Sequence, residues 1–305
     1  MSNILIAAAA VIVVVIVVRF AFPRQFLRLV LLAVRRIIGL RTRSVEFDGT
    51  IWHYLAGGPE SGEVLVLLHG FSGDKDNWLL YARGLRKNYR VIIPDLPGFG
   101  DNARDPDADY HMDAQARWLL AFADAMGIDR FHIGGNSMGG YIALKFTLAN
   151  ADRIRSLALL DSAGVLGETK SELQIATENG ESLLTVSSPE EFDRLLKFIV
   201  YRPLPLPGFI KQPYCEDLIA HRPFLESIFW PMAEEQLQRK NKRVATVTQQ
   251  GEQQRRDENR IKAQKALLDA QRQRWTKLPG SRQTEIRQRI LTSTSSSETL
   301  KGFIR

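Results

Sequence analysis

The chain of 305 residues predicts an α/β fold built on a mostly parallel, doubly wound sheet. Three observations predict it. Solid apolar runs, Val64–Leu68, Val91–Ile93 and Phe131–Gly134, alternate with stretches of helical periodicity, and alternation with short connections lays strands side by side in parallel. The runs carry no polar residue at every second position, as strands covered on both faces require. Each run ends in a turn rich in Gly or Pro, the place where such sheets carry their chemistry.

Composition sets the bounds. With 45% hydrophobic and 25% charged residues the chain is ordinary globular protein, long enough for one large domain with appendages. Its one cysteine, Cys215, excludes a disulfide framework, and no His or acid accompanies it in a catalytic pattern. The net charge of +7 is unevenly spread. Residues 1–43 hold seven Arg and no acid, residues 44–232 hold 17 basic against 26 acidic residues, and residues 233–305 hold 17 against 8. No aromatic interleaving or nucleic-acid motif accompanies the basic ends, so nucleic acid is not an expected partner.

Ile4–Val18 is unbroken apolar sequence, continued by Phe20, Ala21 and Phe22 past Arg19. About 19 helical residues reach roughly 28 Å, close to a bilayer's hydrocarbon thickness. The uncharged start and the Arg-Phe-Ala-Phe-Pro-Arg ending favour an uncleaved transmembrane anchor over a signal peptide. Arg24, Arg28, Arg35, Arg36, Arg41 and Arg43 all follow the run, which places the remainder on the cytoplasmic side. Between Gln25 and Leu40, arginines alternate with Leu, Val and Ile at helical spacing, as in a helix lying among lipid headgroups. A helix packed on the domain is the alternative.

Asp48-Gly49 separates Ser44–Phe47 from Thr50–Leu55 and predicts a hairpin. The strand Val64–Leu68 then runs into His69-Gly70-Phe71-Ser72-Gly73. A helix with Trp78, Leu79, Leu80, Ala82 and Leu85 follows, then the strand Val91–Ile93, a helix Asp113–Met126 and the strand Phe131–Gly134. That last strand enters Gly135-Asn136-Ser137-Met138-Gly139-Gly140, and a helix begins at once. G-x-S-x-G between strand and helix is the context of a nucleophile elbow. Gly135 and Gly139 must lack side chains to let the turn close, and Ser137 sits at its apex. The Met138 N–H, opening the helix, points where an oxyanion would form. By position, the Phe71 N–H is the second oxyanion donor. His69 shapes that loop rather than acting as base, and His53 and His132 lie within strands.

LLHGFSGDKDNW, VIIPDLPGFG, HIGGNSMGG and LALLDSAG, in this order, resemble the α/β-hydrolase superfamily, and within it the membrane-anchored monoacylglycerol lipases and related bacterial lipases. The likeness covers about residues 20–230. It implies an α/β-hydrolase fold with a helical cap, opened here by Ser188 as N-cap and Pro189. Pro203, Pro205 and Pro207, with Phe224, Ile228, Phe229 and Trp230, suit an acyl-binding cap or ordinary cap packing. The expected division is an anchor and basic segment over 1–43, a core over 44–164, a cap over 165–232 and a polar, basic tail over 233–305.

The resemblance also implies an acid after a strand beyond the cap and a Gly-His near the end. Neither is present. The last histidine is His221, and from Glu234 the chain holds 11 Gln and offers no apolar run that could form a central strand. The sheet should therefore lack its last strands. Thr292–Thr299 is low-complexity polar sequence. Either the tail is foreign to the fold, as after a frameshift, or it is a divergent terminus whose acid and base are Asp161, or Asp95, with His221. The expected function is hydrolysis of acyl-ester lipids at the membrane through an acyl-enzyme on Ser137, without metal or cofactor. The alternative is an impaired, membrane-tethered binding protein.

Overall fold

The computed structural model describes residues 2–165, 169–202, 205–276, 279–282 and 284. Its strands are β1 (Leu40–Phe47), β2 (Thr50–Gly57), β3 (Glu63–Leu68), β4 (Tyr89–Pro94), β5 (Phe131–Asn136) and β6 (Ile154–Leu160). They form one sheet in the order β1-β2-β4-β3-β5-β6. Strands β3 to β6 pair in parallel, whereas β2 runs antiparallel to both of its neighbours. The β1–β2 hairpin closes where expected: Phe47 faces Thr50. Asp48 and Gly49 adopt φ of 50° and 71°, the left-handed pair that a two-residue turn of this hand needs.

The solid apolar runs divide between two cores with the strand period of two. Leu65, Leu67, Val91 and Ile93 point to one face, with Trp78, Leu79 and Ala82. Val66, Leu68 and Ile92 point to the other, with Phe122, Ile142 and Phe146. The first core is covered by α3 (Leu79–Leu85), and the second by α4 (Met112–Ala125) and α5 (Met138–Ala149). Strand β6 is the edge of the sheet, and along it Leu159 is 38% exposed. No described residue after Leu160 lies in a strand.

Beyond β6 come α6 (Glu172–Glu178), α7 (Pro189–Ile199), α8 (Gly208–Ala220) and a helix α9 assigned over Arg222–Thr276. Helix α7 opens as the sequence suggests, with Ser188 accepting from the Glu191 N–H at 3.2 Å and Pro189 at the first helical position. The chain divides into two compact units, Met1–Gln238 and Arg239–Arg305. In the second, helix is present over residues 239–276. Pairs four residues apart, such as Gln253 with Asp257 and Gln254 with Glu258, support a helix with almost no apolar face. Thr292–Thr299 lies outside the described residues.

The N-terminal run forms α1 (Ser2–Ala21), followed by α2 (Pro23–Ile37). Here the expectation of a transmembrane helix is corrected: among the described residues no helix is long and apolar enough to cross a membrane. Helix α1 takes up the run as far as Ala21 and ends at Phe22, with φ −134° and ψ 60°, ahead of Pro23, which restricts the residue before it. Near the end of α1, Arg19 lies over the Phe209 ring at 5.5 Å. The assignment of sides, which rested on a span, loses its basis.

Helix α2 is amphipathic. Leu27 is buried, Phe26 meets Phe209 of α8 edge-on at 5.1 Å, and Arg28, Leu29, Leu32, Arg36 and Ile37 are exposed. Arg24 pairs with Glu216 of α8 at 3.1 Å, and Arg35 holds both carboxylate oxygens of Asp76.

Candidate active site

Strand β5 delivers Ser137 to the carboxyl end of the sheet, between β3 and β6, and α5 leaves from the next residue. Reversing direction within one residue forces Ser137 to φ 50° and ψ −116°. For an L-residue this costs about 1–3 kcal/mol and persists only where surroundings impose it. They do so by hydrogen bonds. The Ser137 N–H donates to Leu160 O at 3.0 Å, and the Ala163 and Tyr141 N–H groups donate to Ser137 O at 3.0 and 3.1 Å. Asn136 Nδ2 donates to Leu160 O at 3.2 Å.

The two flanking glycines are required sterically. A Cβ on Gly135 would lie 2.2 Å from Gly139 O, and one on Gly139 would lie 2.4 Å from both Leu68 O and His69 O. The second contact also shows how tightly the elbow is set against the end of β3. A Cβ on Gly70 would stand 3.4 Å from Ser137 Cβ, so the loop after β3 lies directly beside Ser137.

In that loop the Phe71 N–H meets no hydrogen-bond acceptor among the described residues. The Met138 N–H, at the first position of α5, has no intrahelical acceptor either. Both donors thus sit unused next to Ser137. The Phe71 side chain is buried, edge-on to Phe99 and to Phe229 of α9, each at 5.7 Å. Those contacts help to fix the loop.

His69 is fully buried and neutral. Burial pushes its pKa down; Nε2 accepts from the Leu96 N–H at 2.9 Å, which leaves Nδ1–H to donate to Gly70 O at 2.8 Å. Its ring joins the ends of β3 and β4.

The residues considered as acid and base are not brought together. Asp161 is exposed, at φ 43°, immediately after β6. His221 caps α8 and turns Nδ1 to its own helix, 2.9 Å from Asp217 O and 3.2 Å from Asp217 Oδ1. Asp95 is fully buried and committed elsewhere. It accepts from the Lys75 N–H at 2.8 Å, from Lys75 Nζ at 2.6 Å and from the Asp101 N–H at 2.9 Å. Among the described residues, no side chain forms a hydrogen bond with Ser137 Oγ.

Sequence reasoning missed this charged cluster beneath the loop. Asp74, Lys75 and Asp76 form the start of a short helical turn, with Asp74 accepting from the Asp76 N–H at 2.8 Å. Lys75 is 2% exposed and also holds Asp101 at 2.7 Å. Burial, and then the charges of Asp76 and Asp95, push the Asp74 pKa up to about 7. The Tyr214 hydroxyl of α8 donates to Asp74 at 3.4 Å, and burial followed by Asp74 raises that phenol's pKa. The one available signal was three consecutive charges in an otherwise amphipathic stretch.

A cavity of ≈ 830 Å³ lies within the cap, lined by Val186, Leu195, Phe198 and Trp230 among charged residues such as Arg194 and Arg222. Ser137 is not among its lining residues.

A family profile described as alpha/beta hydrolase fold matches residues 63–203. Lipase 1 of Psychrobacter immobilis is 39% identical over 172 residues, covering 55% of this chain and 53% of that protein. Monoacylglycerol lipase ABHD6 of Homo sapiens is 28% identical over 224 residues, 70% of this chain and 66% of that protein. Among solved structures, that of a membrane phospholipase A, described as a bacterial virulence factor, aligns with a TM-score of 0.68. It is 39% identical, and the match covers 79% of this chain and 76% of the other. The chain spans about half the length of Lipase 1.

Proposed function

This chain belongs to the α/β-hydrolase fold family, and on that premise we propose that it is a carboxylic ester hydrolase of the lipase type, acting on acyl esters at a membrane surface. The observation that carries the reading is Ser137 held at φ 50° beside the unused N–H groups of Phe71 and Met138. Ser137 Oγ attacks the ester carbonyl carbon and its proton leaves. The carbonyl oxygen becomes an oxyanion between those two N–H groups, the alcohol departs with a proton, and water hydrolyses the acyl-enzyme. Ser rather than Asp at the elbow suits ester chemistry over the dehalogenase and epoxide-hydrolase chemistries of the fold.

A base is the missing part. With no imidazole set against Ser137 among the described residues, the serine proton passes to solvent, and turnover is low. Oxyanion hole and binding alone leave about 10³–10⁴-fold acceleration over water. The same observation favours a second reading, a membrane-tethered protein that binds acyl esters and barely turns them over. Asp161 and His221 serve as acid and base only if both leave their present places.

Membrane association is supported by the apolar sequence of α1, by the arginines and exposed apolar residues of α2, and by the membrane phospholipase A among the relatives. The acyl-ester lipid substrate class follows from the lipases named above. A fluorophosphonate probe tests the nucleophile. The full chain should carry the adduct on the peptide containing Ser137, and Ser137→Ala should carry none. An adduct on another serine, or none in either protein, would remove the enzyme reading.

A further inference from the structure

Four arginines gather near the amino end of β4, the end of the sheet away from Ser137. Arg41 and Arg43 lie two apart on β1 and share one of its faces, opposite Ala56 and Tyr54 of β2. Ala56 in turn faces Ile92 of β4, and Arg90, two residues before Ile92, lies on that same face. Together with Ala56, Gly57 and Gly58 these three arginines line an open cavity of ≈ 610 Å³, within the usual size of small-ligand sites. Ala56, Gly57 and Gly58 carry at most a methyl group, so the space between the arginine stems stays open. The fourth arginine, Arg86, ends α3. A Cβ on Gly39, which also lines the cavity, would stand 2.8 Å from Arg86 Cζ, so that guanidinium rests against the cavity wall. Strand β4 is six residues long, which sets the cavity roughly 20 Å from the end of the sheet that holds Ser137.

These charges are uncompensated. Among the described residues, Arg41, Arg43, Arg86 and Arg90 form no ion pair and no side-chain hydrogen bond, and Arg86 Nε is buried without an acceptor. By contrast Arg35, Arg104, Arg153 and Arg155 each hold a carboxylate. The one acid lining the cavity, Glu60, is exposed and pairs with none of the four. Like charges around a concave wall focus a positive potential into it. Each guanidinium offers a planar fork of N–H groups that fits two oxygens of one oxyanion. A carboxylate fills one such fork. A phosphate group, with about two negative charges and three acceptor oxygens, can engage several.

We infer that Arg41, Arg43 and Arg90, backed by Arg86, form a binding site for a phosphate group at the end of the sheet opposite Ser137. The site is remote from the nucleophile and stands whether or not the chain hydrolyses esters. Two sources carry this chemistry: a lipid headgroup, within reach because β1 follows α2 closely, and a free phosphomonoester.

The test titrates the full chain into inorganic phosphate, in chloride buffer of constant ionic strength, and follows the phosphorus NMR line width. The line should broaden saturably, and Arg41→Gln with Arg90→Gln should weaken the affinity about tenfold or more. Arg117→Gln with Arg194→Gln removes the same charge from exposed positions on α4 and α7 and should change it by less than about twofold. Arg43→Gln alone, at an exposed strand position, gives the same reading should the first double variant fail to fold. Co-sedimentation with phosphatidylcholine vesicles containing phosphatidic acid then separates the sources. Pelleting that inorganic phosphate competes and that falls in Arg41→Gln with Arg90→Gln assigns the site to a headgroup. Equal pelleting of parent and variant, with phosphate binding intact in the parent, assigns it to a free phosphomonoester. No saturable broadening, or broadening that the two double variants reduce alike, overturns the inference, and so does vesicle binding that depends on these arginines without any binding of inorganic phosphate.

Discussion

Ser137 holds its left-handed backbone because a strand and a helix meet with one residue between them, and the hydrogen bonds to Leu160, Ala163 and Tyr141 impose the turn. The same turn places Met138 at the first position of α5, immediately after Ser137. Ser137→Ala therefore removes a hydroxyl without a partner among the described residues, and thermal unfolding should shift by no more than about 0.5 kcal/mol. Gly139→Ala is the opposite case. Its methyl would collide with the Leu68 and His69 carbonyls at 2.4 Å, and backbone cannot swing aside as a flexible side chain can. A loss of about 2–4 kcal/mol is expected, read as a lowered midpoint in urea.

Asp74 carries the pH dependence at this scale. Its folded pKa of about 7 lies above the unfolded value of 3.8, so between those two the folded protein holds a proton that the unfolded chain has released. Stability contributed by this group is full below the lower value and is lost as pH rises through the upper one. Asp74→Asn keeps an N-cap acceptor for the Asp76 N–H and removes the ionisation. The variant should be more stable than the parent at pH 8, by roughly 1–3 kcal/mol, and indistinguishable from it at pH 4. Urea midpoints at the two pH values check this, and equal stability at both would show that Asp74 is not held protonated.

At the scale of elements, α2 presents two different faces. Leu27, Phe26 and Arg35 tie it to the core and to α8, whereas Arg28 and Arg36 project away from these contacts. On an anionic surface each such arginine contributes about 1 kcal/mol. Arg28→Gln with Arg36→Gln should then weaken binding to phosphatidylglycerol vesicles by about 30-fold, with unfolding unchanged. Unaltered vesicle affinity would take the arginines of α2 out of the membrane account. The elements also differ in how far the sequence revealed them. Val64–Leu68 and Phe131–Gly134 were legible because burial on both faces leaves only apolar residues, and Asp48-Gly49 because few residues accept its backbone. The cluster around Lys75 was not, because a buried ion pair joins residues as far apart in sequence as Asp76 and Arg35, and local patterning carries no trace of that pairing. The N-terminal run misled for a related reason. Apolar length suggests a span, but the packing of Arg19 on Phe209 is a tertiary fact that this length does not encode.

For the whole molecule, the sheet ends at β6 with an exposed edge, and no described residue beyond Leu160 adds a strand. Among the described residues this edge has no partner strand, and an unpaired edge invites pairing with other chains, which predicts concentration-dependent association. The same absence leaves Ser137 with its elbow and two open N–H donors and without an imidazole. The proposed nucleophile and oxyanion donors lie on segments local to β3, β5 and α5, which is why short motifs suffice to single them out. A base would have to arrive from remote sequence, and the one candidate, His221, is held at Asp217. The most direct test is the rate of p-nitrophenyl butyrate hydrolysis by the full chain, by Ser137→Ala and by His221→Ala. A weak rate above buffer is expected, which Ser137→Ala abolishes and His221→Ala leaves unchanged. Full activity in Ser137→Ala, or brisk turnover that vanishes with His221→Ala, would contradict that expectation.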